Sequence, residues 1–410
     1  MDIIKELLSD SLIHFCSTFK VRAVSFTFLT LTFGGSKLSR PTGLERLIAE
    51  GLCTSCGACV AACPRGKLFS SSDDGSVVRK LGSYMSDVNC LFCGLCYETC
   101  PLTHFPRDEI EEKFFGRKRK ESEEIGVYRG CYFARSTNKE ILAAAQDGGA
   151  VTSLLAYGLR KRKVDCTVAA GADGDGSWRP KPVIAKTIDE LIGTAASKYT
   201  PCPTLASLKL AAGKYVKNRV AVAGLPCHIW AIRKTQMLSE GRRPAFVDSV
   251  EFTVGIFCHS LFHYNRFMDF VRYQGIDPAN VSKFTIKKGR FSVLLKEGKE
   301  TLDLSAIELA KEWNLDLECC LHCTDYLAEF ADISVGGFGS PSGWSTIITR
   351  SDKGDLLLNE ACKDGFLECV KQDDVPRGLF KLTEIKKRKA RKPYIPGIYE
   401  KVLHAPMIHP

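Results

Sequence analysis

Nowhere does this sequence hold an apolar run long enough to cross a bilayer, which takes roughly 18 consecutive apolar residues. The most apolar stretch, residues 21–33 (VRAVSFTFLTLTF), is short and broken by Ser and Thr. No convincing small-residue cleavage site follows it to suggest a secretory leader. Aromatic residues are not interleaved with the basic runs and no nucleic-acid-binding module is visible. The formal net charge of +10 therefore gives no reason to expect nucleic acid as a partner. Internal repetition is also missing, except in one cysteine-rich block.

Cysteine, by contrast, is abundant. At 45% hydrophobic and 25% charged residues over 410 positions, the chain can bury a core without disulfide staples. Its 19 cysteines are odd in number and fall in tight groups beside Gly and Pro, as metal ligands do. Thiolate ligands need a reducing compartment, so the expected location is cytoplasmic, with peripheral attachment to the inner membrane face as an option.

Composition divides the chain into five parts. Residues 1–42 read as a leader without visible chemistry, and 43–112 as a small α+β ferredoxin-like domain. Residues 113–129 are a charged connector without apolar periodicity, expected to be an exposed linker. From 130 to 375 the pattern is α/β: runs 220–223 and 252–257 read as buried strands, 150–162 and 305–313 as helices. Residues 376–410 form a basic tail containing KKRKARKP, expected to be solvated.

The strongest signal is a doubled motif. Cys53, Cys56, Cys59 and Cys63 are spaced C-x2-C-x2-C-x3-C before Pro64, and Cys90, Cys93, Cys96 and Cys100 repeat that spacing before Pro101. This is the two-cluster bacterial ferredoxin pattern, in which the fourth cysteine of each run ligates the other cluster. Cys53, Cys56, Cys59 and Cys100 are expected on one 4Fe-4S cluster, and Cys90, Cys93, Cys96 and Cys63 on the second. Gly57, Ala58 and Gly94 leave the backbone room near the sulfides. The alternative, a pair of zinc knuckles, would pair two C-x2-C elements across a longer gap.

The second half carries dispersed motifs. Gln146, Asp147, Gly148 and Gly149 precede an apolar helix, where free N–H groups could meet a cofactor phosphate. Further on stand Ser197, Lys198, Tyr199; then Pro226, Cys227, His228; then Cys258, His259; and finally Cys320 and Cys323. The two single cysteines and the C-x2-C could meet as ligands of a third cluster. Cys16, Cys131, Cys166, Cys202, Cys362 and Cys369 read as buried inert thiols, and Cys319, beside the C-x2-C, leaves the ligand register open by one residue.

With QDGGAVTSLL, SKYT, GLPCH, GIFCH and CLHCTDYLAEFADISVGG in this order, the chain resembles the beta-subunit family of coenzyme F420 hydrogenases and F420H2 dehydrogenases. The fused N-terminal block is similar to that of the dehydrogenase electron-input subunit. The resemblance implies an α/β flavin-binding catalytic domain holding FAD and one 4Fe-4S cluster, hence three clusters in all. It assigns Cys227, Cys258, Cys320 and Cys323 to the third cluster. Gln146, Asp147, Gly148, Gly149, Ser197, Lys198, Tyr199, Pro226 and His228 fall to the FAD and substrate region. The implied substrate is coenzyme F420, and the implied acceptor a ferredoxin or a membrane-bound quinone or methanophenazine reductase complex.

A deazaflavin gives up a hydride, whereas clusters take single electrons, so a flavin between them converts one currency into the other. No acid or base is required; Lys198 is the one candidate catalytic side chain, by stabilising charge on a reduced flavin. His228 and His259 either donate to a cluster sulfur or are simply packed. Two competing readings are a ferredoxin-dependent reductase of an organic substrate, like the chlorophyll-reductase relatives of this family, and a relay subunit without flavin.

Overall fold

The computed structural model describes residues 43–66, 68, 91, 93–213 and 218–390. The expected leader with its Cys16, the ligand candidate Cys90, and tail residues 391–410 lie outside the described residues.

Helices separate the strands β1 (Gly130–Ser136), β2 (Cys166–Ala172), β3 (Pro180–Ala185), β4 (Val220–Gly224) and β5 (Val250–Ile256), except β2 and β3, which follow one another directly. After them come β6 (Val281–Lys287), β7 (Arg290–Leu295), β8 (Glu300–Ser305), β9 (Ile333–Gly336), β10 (Ser345–Thr349) and β11 (Leu367–Gln372). Eight of them form one sheet in the order β11-β1-β10-β9-β5-β4-β2-β3. Its centre, β9-β5-β4-β2, is parallel, and antiparallel strands complete both sides.

Both faces of that centre are covered, which is why β4 reads VAVAG, buried at every position. Ala221 and Ala223 face one core with Leu154, Leu155, Leu357 and Leu358, carried by the helices Ala150–Arg160 and Asp352–Lys363. Val220 and Val222 face the other, with Ile232, Leu205, Leu208 and Phe246. The strands and helices expected from periodicity are all present within a few residues. A second sheet, β6-β7-β8, was not anticipated. Its apolar positions, among them Phe284, Phe291 and Val293, alternate with Lys, Arg and Glu over short spans, which masks the strand signal.

Two expectations need correction. The connector is not a loose linker: Ile125 and Val127 are buried, and Arg119 ion-pairs with Glu111 and Glu329. Nor is the basic tail solvated throughout. Arg377–Ala390 is a helix in which Leu379, Thr383 and Lys386 are buried, because its apolar positions recur at helical spacing between the lysines.

Arg350 closes this region. Fully buried, its guanidinium donates to the carbonyls of Ile125 and Val127 at 2.9 Å each and to Ser334 Oγ at 2.6 Å. Burial pushes its pKa down to about 10, opposed by Glu329 and Asp325, so the charge persists at neutral pH. Arg350→Met should lower stability by about 3–5 kcal/mol, since it strands the two carbonyls and the buried carboxylates. The shift of the denaturation midpoint in urea measures this.

Candidate functional site

In the cysteine-rich block, Gly57 (φ 82°) and Gly94 (φ 72°) each cap a short helix, Ala58–Ala62 and Leu95–Glu98. These left-handed residues turn the chain so that Cys59 and Cys96 ride on the helix starts. The thiol of Cys59 is pushed well up by burial and then by Cys56, Cys53, Cys100 and Cys96. That of Cys100 is pushed up to about 12 by burial and then by Cys56, with a smaller push from Cys53. Cys53, Cys56, Cys59 and Cys100 thus lie within electrostatic reach of one another, with Cys96 of the second run also near Cys59. Crowded buried thiols resist ionising unless cations occupy the space between them, and a set of this chemistry fits iron. Among the described residues no three His, Cys, Asp or Glu side chains close on a position for a single ion.

The second thiol set follows from the sheet. Chain ends leaving adjacent parallel strands emerge side by side. Cys227 comes three residues after β4, in the first turn of helix Pro226–Gln236. Cys258 comes two residues after β5, its N–H donating to the Tyr326 carbonyl at 2.9 Å. The Cys320 sulfur accepts from Leu261 N at 3.4 Å. Burial, then Cys56, Cys258, Cys323 and Cys320, raises the Cys227 thiol well above its ordinary value. The structure therefore brings Cys227, Cys258, Cys320 and Cys323 together, next to Cys56 of the first set. Cys319 is buried with Leu261 and Leu317, with the half-buried Cys320 packed against them, and both lie within electrostatic reach of Cys227.

Two lysines at these sites escaped sequence reasoning because each lies in a polar stretch. Lys234 Nζ donates to the Cys100 carbonyl at 2.8 Å and to Thr103 Oγ1. Lys386 Nζ donates to the Cys258 carbonyl at 2.7 Å. Arg242 adds a bond to the Cys93 carbonyl at 2.7 Å and an ion pair with Glu98 at 2.8 Å. One helix, Pro226–Gln236, thus carries Cys227 in its first turn and grips the dicluster block near its end.

His228 is packed rather than aimed at sulfur. Its Nδ1 accepts from Leu225 N at 3.0 Å and its Nε2 lies 3.2 Å from the Cys202 carbonyl, so both nitrogens are engaged. Burial holds it neutral, with a pKa of about 4. His259 is also held at about 4 by burial and then by Lys386 and Lys389.

Of the expected cofactor-region residues, Asp147 and Tyr199 lie within electrostatic reach of each other, while Pro226 and His228 belong to the helix that carries Cys227. Gln146 has both side-chain amide atoms buried without a hydrogen-bond partner among the described residues, which fits a missing polar group. Burial raises the pKa of Asp147 against the pull of Lys287 and Lys283, and the Asp147 charge reaches Tyr199. Tyr199 OH accepts from Ile286 N at 2.7 Å, tying this loop to β6. Gly148 answers a need of the fold: a Cβ there would lie 2.5 Å from Ala134 O and 2.6 Å from Ser345 N. Lys198 makes no ion pair among the described residues. Its ammonium sits on the carbonyls of Thr194, Ala195 and Ala196 at 2.5, 2.6 and 3.1 Å, and burial lowers its pKa to about 8. Pro226 starts the helix that carries Cys227.

Cys131, Cys166 and Cys202 are buried thiols, as expected. Cys362 and Cys369 are not: they form a disulfide with Cα atoms 6.2 Å apart. The helix Asp352–Lys363 and strand β11 are joined by a tight turn, a closeness that spacing alone did not convey. The basic run RKRK is partly spent internally, with Arg117 on Glu123 at 2.6 Å and Arg119 on the buried acids.

Residues 131–209 and 217–375 match the models for the N-terminal and C-terminal parts of the coenzyme F420 hydrogenase/dehydrogenase beta subunit. The chain belongs to this family. Residues 52–103 match the 4Fe-4S dicluster domain, so this family member joins an iron–sulfur block to the α/β beta-subunit domain. The coenzyme F420 hydrogenase subunit beta of Methanothermobacter thermautotrophicus is 39% identical over 273 residues, which is 65% of this chain and 94% of that one. A subunit of the F420H2 dehydrogenase of Methanosarcina mazei is 28% identical over 331 residues, 78% of this chain and 85% of its own. A chain of the F420-reducing NiFe hydrogenase complex from Methanosarcina barkeri superposes with a TM-score of 0.61 at 34% identity, covering 67% of this chain and 94% of that one. The resemblance drawn from the motifs holds. Among the described residues no helix is long and apolar enough to cross a membrane.

Proposed function

We propose that this protein oxidises reduced coenzyme F420 at a bound FAD and delivers single electrons, through three 4Fe-4S clusters, to a ferredoxin or to a membrane-bound quinone or methanophenazine reductase complex. The observation that carries the reading is the adjacency of two thiol sets, with Cys227 of one within electrostatic reach of Cys56 of the other. FAD, when bound, supplies the exchange between two-electron and one-electron chemistry.

The chain's own residues do the rest. Cys53, Cys56, Cys59 and Cys100 would hold one cluster, Cys63, Cys93 and Cys96 with Cys90 the second, and Cys227, Cys258, Cys320 and Cys323 the third. The buried amide of Gln146 would meet the flavin or its donor, beside Asp147 and the β6 lysines Lys283 and Lys287. Lys198, turned onto three carbonyls, holds the 194–198 loop that positions Tyr199. Its part is therefore orientation rather than direct charge stabilisation. Helix Pro226–Gln236 keeps the two thiol sets in fixed register.

Anaerobic stopped-flow mixing of the full protein with reduced F420 tests the proposal. Flavin absorbance should bleach first and cluster absorbance afterwards. A flavin that stays oxidised with reduced F420 but bleaches with reduced ferredoxin would reverse the direction of flow.

A further inference from the structure

Lys234 and Lys386 are the lysines with less than a tenth of their surface exposed among the described residues. Each spends its ammonium on the backbone carbonyl of a cysteine from a thiol set, Cys100 and Cys258. Burying a lysine is costly unless negative charge meets it. Around Lys386 lie Cys258, Cys320, Cys323 and Asp325, and a cluster held by those cysteines would supply that charge. The neighbouring Lys387 is occupied elsewhere, 3.3 Å from Glu329. The Lys386 ammonium therefore sits beside the inner set, 2.7 Å from the Cys258 carbonyl.

We propose that Lys386 is a positioning residue that sets the reduction potential of the centre held by Cys227, Cys258, Cys320 and Cys323, through a fixed positive charge beside it. This rests on the reading that those four cysteines hold a 4Fe-4S cluster. One electron arrives at such a centre and one leaves; no bond forms or breaks. The reduced form carries one more negative charge, so a nearby fixed cation favours it and raises the potential. Asp325 opposes this. Its carboxylate accepts from Trp230 Nε1 at 2.7 Å and from Glu329 N. Cys227 of the inner centre lies near Cys56 of the dicluster block, so the inner potential bears on transfer between the two. A lysine needed only to satisfy the Cys258 carbonyl could be replaced by any neutral donor.

That difference gives the test, an EPR-monitored redox titration of the full protein prepared without oxygen. Lys386→Gln keeps a donor for the carbonyl and removes the charge. The inner centre should become harder to reduce by roughly tenfold, about 59 mV for one electron. The dicluster potentials should move less, and Lys386→Arg should restore the wild-type value. If the Gln variant does not fold, Lys386→Met, which fills the same buried stem, reads the same shift. Asp325→Asn should move the potential the opposite way. An inner-centre signal whose potential is unchanged in the neutral variants overturns the role given to Lys386. Wild-type protein with only two cluster signals overturns the three-cluster reading, and this inference with it.

Discussion

With three 4Fe-4S clusters bound as proposed, Cys320→Ser should yield protein with about eight irons per chain in place of about twelve, because the third cluster would lose a ligand. Flavin bleaching by the donor should persist, while reduction of an added one-electron acceptor collapses. Cys319→Ser is the matched control. Cys319 is 4% exposed among Leu261 and Leu317, so on the proposed ligand set its loss should leave iron unchanged. Iron content by colorimetry on anaerobic protein reads both variants. Full iron in Cys320→Ser together with a deficit in Cys319→Ser would move the ligand register by one residue.

Gly57→Val should uncouple the two halves of the molecule. A Cβ at Gly57 would lie 2.6 Å from Ala206 N and 2.8 Å from Pro203 O, backbone atoms that have no rotamer to escape into. The same surface is joined by a hydrogen bond from Leu205 N to the Cys56 carbonyl, 3.0 Å, and by Cys56, Ala58 and Ala61 packing on Leu205, Leu208 and Ile232. Overpacking there costs about 1–3 kcal/mol, beyond the strain of a branched side chain at positive φ. The dicluster block must shift, which lengthens the path an electron takes to reach it. Rapid-mixing spectra should show the flavin bleached at its normal rate and dicluster reduction slowed severalfold. Gly66→Ala separates strain from displacement: Gly66 also has positive φ (61°), but its Cβ would meet nothing within 4 Å. It should lose a little stability and keep its electron-transfer rate. Equal slowing in both variants would mean that local strain, not the contact with Ala206, governs the transfer.

The sequence was legible where chemistry is written locally. Ligand spacing in the doubled motif predicted an iron–sulfur block, and residues 52–103 match the 4Fe-4S dicluster domain. The strands β4 and β5 and the helix Ala150–Arg160 stood out by apolar run and periodicity. The sheet β6-β7-β8 did not, since charged residues alternate with its few apolar ones. The pairing of Cys362 with Cys369 was missed for a related reason: seven positions of separation allow either contact or distance, and the turn at Gly365 (φ 74°) decides it.

By itself the sequence determined that this chain handles iron–sulfur chemistry within the coenzyme F420 hydrogenase/dehydrogenase beta-subunit family, because cysteine spacing and ordered motifs are properties of neighbours along the chain. Tertiary structure alone decided which thiols are neighbours in space and what charge surrounds them. Cys227 meets Cys56, Lys234 caps Cys100, and Lys386 reaches Cys258 across 128 residues of chain. Such contacts depend on parallel strands ending side by side and on a C-terminal helix folding back over them, and neither leaves a mark in local composition.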